Sequence, residues 1–487
     1  VIPVKKGKKA TRLENTRPDV WEIPKEGEML VPGRLYVSAD TVQQLLSEAP
    51  KKEWDALKQI ENVACLPGIQ MASLAMSDVH PGYGFPIGGV GAFDAKEGVI
   101  SVAGVGFDCN CGVRTLATTL GKKDVERRKI DLINEIFRAV PAGVGSTGQI
   151  KLNEQSINKV LVSGAKFAVE KGYGTARDLE YTEENGAVPG ADPKAVSAKA
   201  KRRQFKQVGT LGSGNHYLEI QYVDEIYDNE AAAAYGLETG QVLVSIHCGS
   251  RALGHQIGTD YLQTMEAASR KYKIPIRERE LVCAPFGSPE GQAYFSAVKA
   301  AMNCAFANRQ ILSHLVRGCF ERVLGLGSNE VTLFYDIGHN TCKLENHGGK
   351  RLVVHRKGAT RAFGPGHPEI PAAYRAVGQP VLVGGTMGTC SYILKGTEKG
   401  MEETFGSACH GAGRVMSRQQ AKKRWMGRDL VKDLESKGIA IRGHSLPGVA
   451  EEAPGAYKDV SDVVGVMHRT GIAMKVVRTR PMACLKG

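Results

Sequence analysis

Asp108 and Cys111 stand in GVGFDCNCGVR with two residues between them, and a turn there can aim a hard carboxylate and a soft thiolate inward together. Three histidines are also placed where loops commonly build sites. His216 follows the glycine-rich GTLGSGN, His247 closes the apolar run QVLVSIH, and His339 follows Gly338 after VTLFYDIG. Together these five residues offer oxygen, sulfur and nitrogen donors for two adjacent metal ions, with Cys111 as a bridge that reduces repulsion between the cations. Zinc is the first element suggested by such a donor set. Manganese favours harder ligands, so the donors alone leave the metal open.

His410 lies in FGSACHGAGRVMSR with Arg414 and Arg418 close behind. An unprotonated imidazole nitrogen can attack a nucleoside triphosphate at its α-phosphorus, and nearby cations can stabilise the charge that develops. HRKGATRAFGPG (355–366) reads as an anion surface built from His355, Arg356, Lys357 and Arg361, which KAKRRQFK (199–206) can extend. Arg251 can fork toward a phosphate, His255 is a further acid or ligand, and Asp336 can orient a ring. If the chain turns helical after Gly214, His216 and Glu219 share one face.

The elements that must position these groups alternate in texture. Residues 39–62 and 122–140 have helical patterns, with a glycine-punctuated sheet region between them. A polar stretch, 175–206, is predicted to be a helical excursion or lid. The strand 241–247 ends at His247, and 256–321 reads as two helical pieces separated by PFGSPEG. Strands then lead into DIGHN and HRKGATR, 380–396 combines a strand with glycines, 415–437 looks helical, and DVVGVMHRTGIAMKVVRTR fits helix or strand. Residues 1–25 read as a basic N-terminal arm and 26–487 as the catalytic domain, one complex α+β fold with no internal repeat.

Composition narrows the class. At 42% hydrophobic and 24% charged, the 487 residues can bury a large core, which argues against disorder. There is no run of about 18 apolar residues and no signal-peptide core, so a cytoplasmic protein without a membrane span is expected. The odd count of eleven cysteines argues against a disulfide framework. Lys and Arg exceed Asp and Glu, 64 to 51, and the net charge of +13 favours an anionic partner such as RNA without naming one. Two other classes compete: a dinuclear metallophosphatase or nuclease, which leaves His410 without a role, and an RNA-binding protein with an inactive centre.

Seven strings occur in one order: GYGFPIGG, GFDCNCGVR, LGSGNHYLE, IHCGSRALGHQ, DIGHN, HRKGATRA and CHGAGRVMSR. In this the chain resembles the RtcB family of RNA-splicing ligases over roughly residues 20–487. The resemblance implies a distinctive α+β fold with mixed sheets, surrounding helices and a central metal-binding cleft. It implies GTP-dependent RNA ligation with two Mn²⁺ ions, one held by Asp108, Cys111 and His216, the other by Cys111, His247 and His339. His410 would attack GTP and become guanylylated. Asn215, Tyr217, Glu219, Ser391, Tyr457 and Lys486 resemble the family's guanosine pocket, and Asn340 and Arg414 its GMP-phosphate contacts. The partners implied are RNA, including tRNA halves, and an archease-like activator, with a monomeric core. Three departures stand out: Val79 in SDVHPG, Cys109 where the family commonly has an apolar residue, and Ala252 where it commonly has glycine.

Overall fold

The computed structural model describes residues 11–48, 55–327 and 329–487. It is a mixed α+β architecture around two large sheets. One has seven strands, in the spatial order Glu14–Arg17, Val20–Ile23, Gly33–Tyr36, Ser73–His80, Ile87–Asp94, Lys350–Lys357 and Asn340–His347. The other runs Val331–Gly338, Gly112–Gly121, Gln241–Cys248, Tyr217–Ile226, Ala473–Lys486, Ser391–Gly396 and Pro380–Val383, with Ala440–Gly443 pairing in parallel beside Ala473–Lys486. Most strand pairs are antiparallel, which lets short turns connect them.

The two sheets meet at His339. The Val331–Gly338 strand belongs to the eight-stranded sheet and Asn340–His347 to the seven-stranded one, so the chain changes sheet at this residue. The short pair Ala359–Arg361 and Ser407–Cys409 lies at the same junction and ends one residue before His410.

Helix Pro289–Leu324, 36 residues long, packs behind the site. Ser288 accepts from Gly291 N at its start, and Gly325, at φ 72°, closes it. The helix is buried nearly all round, and this explains its small residues, AMNCAFAN. It also carries buried polar side chains at Asn303, Asn308, Arg309 and Gln310. The sequence reading of two helical pieces corresponds to Ala252–Lys271 and this longer helix.

Three expectations change. Of the predicted arm, residues 1–10 lie outside the described residues, whereas Glu14–Arg17 and Val20–Ile23 form a hairpin on the edge of the seven-stranded sheet. The 175–206 stretch does contain short helices, but it is no lid. Asp178 pairs with Arg317 at 2.7 Å and Val188 N donates to Asn303 Oδ1 at 2.7 Å, pinning the stretch to the long helix. DVVGVMHRTGIAMKVVRTR, which fits helix or strand, divides into the helix Val460–Thr470 and a 14-residue strand, Ala473–Lys486, that carries Lys486 into the sheet.

Candidate metal centre and nucleotide cleft

Sheet register explains how distant residues reach one cleft. Lys486 pairs with Tyr217, Tyr217 with His247, His247 with Val113, and Val113 with Ile337, a row across five neighbouring strands. Side chains two residues apart on a strand share a face. Glu219 therefore joins Tyr217 on the cleft side, opposite Cys484 of the last strand. This replaces the expected helix after Gly214: the chain enters a strand at Tyr217, and strand alternation places Glu219.

The cleft has a volume of about 600 Å³, and its walls include Asp108, Cys111, His247, His339, His410 and the guanosine-side candidates Asn215, Tyr217, Glu219, Tyr457 and Lys486. At its floor, donor atoms of Asp108, Cys111 and His216 lie within 4.8 Å of one another, as do those of Cys111, His247 and His339. Cys111 Sγ is 3.5 Å from His216 Nε2 and 3.2 Å from His247 Nε2, so it is common to both groups. His216 Nε2 stands 2.7 Å from Asp108 Oδ2, and the Nε2 atoms of His247 and His339 stand 3.1 Å apart. The Nδ1 atoms of His216 and His247 each face a backbone carbonyl, Leu211 O and Asn215 O, at 3.0 Å. With a proton held there, His247 Nε2 is left as a free donor atom. His216, which burial would keep neutral but the charges of Cys248 and Asp108 push well above the ordinary imidazole value, must give up its Nε2 proton when an ion binds.

Electrostatics fits a cation between these groups. Burial, then the charge of Asp108, pushes the Cys111 thiol up to about 12. Left alone it would stay protonated, whereas a bound divalent ion stabilises the thiolate. Burial and then neighbouring histidines drive His247 and His339 well below the ordinary imidazole value, so both stand ready as neutral ligands. Desolvation opposes the charge on Asp108, yet His216 and Arg251 hold its carboxyl down at about 2. The donor set therefore suits two divalent ions sharing one sulfur.

The backbone around Cys111 is fixed by groups the sequence reading overlooked or assigned differently. Asn110 sits at φ 52°, and Cys109 faces away from the clustered donor atoms toward Val298 O, 3.6 Å from its Sγ. Arg309, fully buried, donates from Nη1 to Asn110 O at 2.7 Å and Cys248 O at 2.8 Å. It thus ties the Cys111 turn to the end of the His247 strand. Asp336 orients this guanidinium, not a histidine ring: its carboxylate accepts from Arg309 Nε at 2.9 Å and from Arg114 Nη1 at 2.9 Å. At Gly249, a Cβ would lie 2.2 Å from Asp108 Oδ1, so only glycine lets this carboxylate reach its place.

His410 is held by Asp78, which sequence reasoning missed. Asp78 Oδ2 accepts from His410 Nδ1 at 2.5 Å, His410 N at 2.9 Å and Gly411 N at 3.3 Å. The carboxylate is wholly buried; burial resists its charge, but His410 holds its pKa below the usual range. With Nδ1–H committed to Asp78, Nε2 keeps its lone pair, and the ring lies 4.6 Å from that of His339. An acid inside the apolar strand SLAMSDVH was the available signal.

Among the candidate guanosine-pocket residues, burial raises Glu219 to about 7. Lys486 Nζ lies 5.3 Å from the centroid of the Tyr217 ring. Arg414 Nη1 donates to Tyr457 Oη at 2.8 Å and stands 3.2 Å from Glu452 Oε1. Ser391 sits behind the cleft wall, where its Oγ accepts from Gly385 N at 3.0 Å. Asn340 fastens two loops: it donates to Asp108 O at 3.0 Å and accepts from Gly358 N at 2.8 Å. Arg251 Nε donates to Thr210 Oγ1 at 3.2 Å.

The anion surface expected at 355–366 is corrected. Arg356 is buried against Glu345, at 2.6 and 2.9 Å, and Arg361 against Glu183 and Glu369, at 2.9 and 2.6 Å. His355 is buried too, accepting from Ser101 N at 3.2 Å and meeting Phe93 edge to face. The charges of this run neutralise interior carboxylates; a buried guanidinium must be paired. Lys357 alone lines the cleft, donating to Tyr83 O at 2.8 Å and Phe85 O at 3.0 Å, with burial lowering it to about 7.

The sequence profile of tRNA-splicing ligase RtcB matches residues 59–487. The chain belongs to the RtcB family. It is similar to the tRNA-splicing ligases RtcB of Thermococcus kodakarensis, 54% identical over 96% of this chain and 97% of that protein, and of Archaeoglobus fulgidus, 53% identical over the same shares. That of Pyrobaculum aerophilum is 48% identical over 96% and 98%. Among the described residues, no helix is long and apolar enough to cross a membrane.

Proposed function

We propose that this RNA ligase joins an RNA 3′-phosphate end to a 5′-hydroxyl end through a guanylate carried on His410, with GTP as cosubstrate and two Mn²⁺ ions. The observation that carries the reading is the pairing of His410 with Asp78 beside the metal ligand His339. A structural histidine needs no buried carboxylate on Nδ1 and a free Nε2 facing a cleft. A nucleophile needs both.

That geometry supports the following steps. His410 Nε2 attacks the α-phosphorus of GTP, the bond to the bridging oxygen breaks, and pyrophosphate leaves. Asp78 stabilises the positive ring through Nδ1–H. An oxygen of the RNA 3′-phosphate then attacks the same phosphorus, the P–N bond breaks, and GMP passes to the RNA end. The 5′-hydroxyl oxygen attacks the RNA phosphorus, forms the phosphodiester and releases GMP. A 2′,3′-cyclic phosphate must first be opened by water to the 3′-phosphate. Two divalent ions held by Asp108, Cys111, His216, His247 and His339 would supply Lewis-acid charge to the phosphoryl oxygens. Glu219 and Lys486 contact the guanine edge, and Tyr217 and Tyr457 wall the pocket. A carboxylate accepting from guanine N1–H and N2–H rejects adenine, which has neither donor.

Purified protein with Mn²⁺ and α-labelled GTP should form a covalent guanylate before RNA is added, absent in His410→Ala. RNA with 3′-phosphate and 5′-hydroxyl ends should then be joined, not cleaved. Folded, metal-loaded protein that never takes up label would overturn the reading and favour a phosphatase or nuclease. The natural setting we propose is joining of tRNA halves or RNA repair in the cytoplasm, by a monomer that an archease-like protein activates.

A further inference from the structure

Three aromatic rings from separate segments touch in series, two of them at one wall of the cleft. Tyr83 meets Phe107 edge to face with centroids 5.4 Å apart, and Phe107 meets His255 at 5.3 Å and a tilt of 32°. Tyr83 and Phe107 line the cleft and are only half-buried, and His255 is exposed. The site is shaped to hold Phe107. Gly258 of helix Ala252–Lys271 lies under the ring, where a Cβ would come within 2.7 Å of it, and Gly254, one turn earlier, passes close to Phe107 O. Aromatic side chains that complete a core are buried; Tyr83 and Phe107 instead line the cleft, with His255 exposed beside them.

The rings stand beside one arm of the metal centre. Phe107 immediately precedes Asp108, whereas the guanosine wall abuts the other arm, where the Tyr217 ring is 5.2 Å from His247. In an in-line displacement the entering and leaving oxygens occupy opposite sides of phosphorus. In the final step GMP leaves toward the guanosine wall, so the nucleoside bringing its 5′-hydroxyl enters from the far side. Cations for its following phosphates are at hand: Arg251 precedes the helix that carries His255, and Arg203 is anchored on Gln256 of that helix at 2.7 Å.

We propose that Tyr83, Phe107 and His255 form a stacking shelf for the first nucleobase of the RNA strand bearing the 5′-hydroxyl. The shelf rests on the RNA-ligase reading above. Stacking on an aromatic face is tolerant of base identity, because every base offers a π-face. The acceptor end is thereby held without a sequence requirement, as suits a ligase whose substrates differ at the junction.

The direct test uses the wild-type, Mn²⁺-loaded protein. A 5′-hydroxyl RNA carries 5-iodouridine as its first nucleotide, and photocrosslinked peptides are mapped. Adducts on Tyr83, Phe107 or His255 are expected. Adducts confined to other segments, or reaching the shelf only when the iodouridine occupies the 3′-phosphate-bearing nucleotide, overturn the assignment. An equal yield from free iodo-GTP would show a second nucleotide site and overturn it too. In a kinetic arm, Tyr83→Leu and His255→Ala should raise the KM for the acceptor strand about tenfold each, equivalent to about 1.4 kcal/mol. The KM for the 3′-phosphate strand should stay within twofold; equal effects on both strands count against the shelf. Failure of guanylylation in the wild type would fault the ligase reading instead, so the two failures are distinguishable.

Discussion

Replacing Asp78 with asparagine changes one atom in the group that holds His410, the proposed nucleophile, and the structure dictates how it must sit. Three donors converge on Oδ2: His410 Nδ1 at 2.5 Å, His410 N at 2.9 Å and Gly411 N at 3.3 Å. The amide oxygen of Asp78→Asn must take that place, since an NH₂ group there would meet three hydrogens. Its NH₂ then falls where Oδ1 lies, a buried position without a hydrogen-bond partner and walled by Gly88. The Nδ1–H tautomer survives, but the negative charge facing it is lost. A hydrogen bond to a charged group contributes about 1.5–3 kcal/mol and a neutral one about 1 kcal/mol. The difference, about 1–2 kcal/mol, falls on the step in which the ring becomes cationic, and slows guanylylation by about 5- to 30-fold. The stranded NH₂ costs a further 1–3 kcal/mol or so of folding stability. Single-turnover uptake of α-labelled GTP at saturating Mn²⁺ reads the first effect, and thermal unfolding the second. Sealing of RNA already guanylylated at its 3′ end bypasses His410 and should be nearly normal. A guanylylation rate within twofold of wild type would refute the role given to Asp78, as would an equal loss in sealing of pre-guanylylated RNA.

Three other outcomes are expected. Glu219, raised to about 7 by burial, must be ionised to accept from guanine, so GTP affinity should fall about tenfold per unit as pH drops below about 7, and Glu219→Gln should flatten that profile in titrations from pH 5.5 to 8. Cys111→Ser should lower the content of both metals, whereas Gly249→Ala, whose Cβ would meet Asp108 Oδ1 at 2.2 Å, should mainly lower one, as read by metal analysis after dialysis. Arg309→Met removes one of the two guanidiniums paired with buried Asp336 and strands the carbonyls of Asn110 and Cys248, costing about 3–5 kcal/mol, with a lower unfolding midpoint even in metal-free protein and weaker Mn²⁺ binding in calorimetry.

Much of the site was legible because metal ligation restricts residue types severely. Asp108, Cys111, His216, His247 and His339 stood out by donor chemistry and by glycines or strand ends beside them, and the structure groups them. Charge was a poorer guide. Arg356 and Arg361 looked like surface cations, yet each is buried against a carboxylate on another segment: Glu345 on the neighbouring strand of the hairpin, and Glu183, far away in sequence. A run of basic residues looks the same whether its partners are phosphates or interior acids. Asp78 and Arg309 escaped notice for the converse reason: a charged residue within a buried strand or helix shows no partner until the fold supplies it.

The sequence by itself determined the donor set, the nucleophile candidate and, through seven ordered motifs, the family, because these depend on residue identity and local spacing. Only the tertiary structure decided which charges face the cleft, what holds His410, and how the C-terminal strand brings Lys486 beside Tyr217. Those are matters of strand register and burial. Register is set by which sheet edges meet, and a pairing between residues hundreds of positions apart leaves no local trace in a single chain.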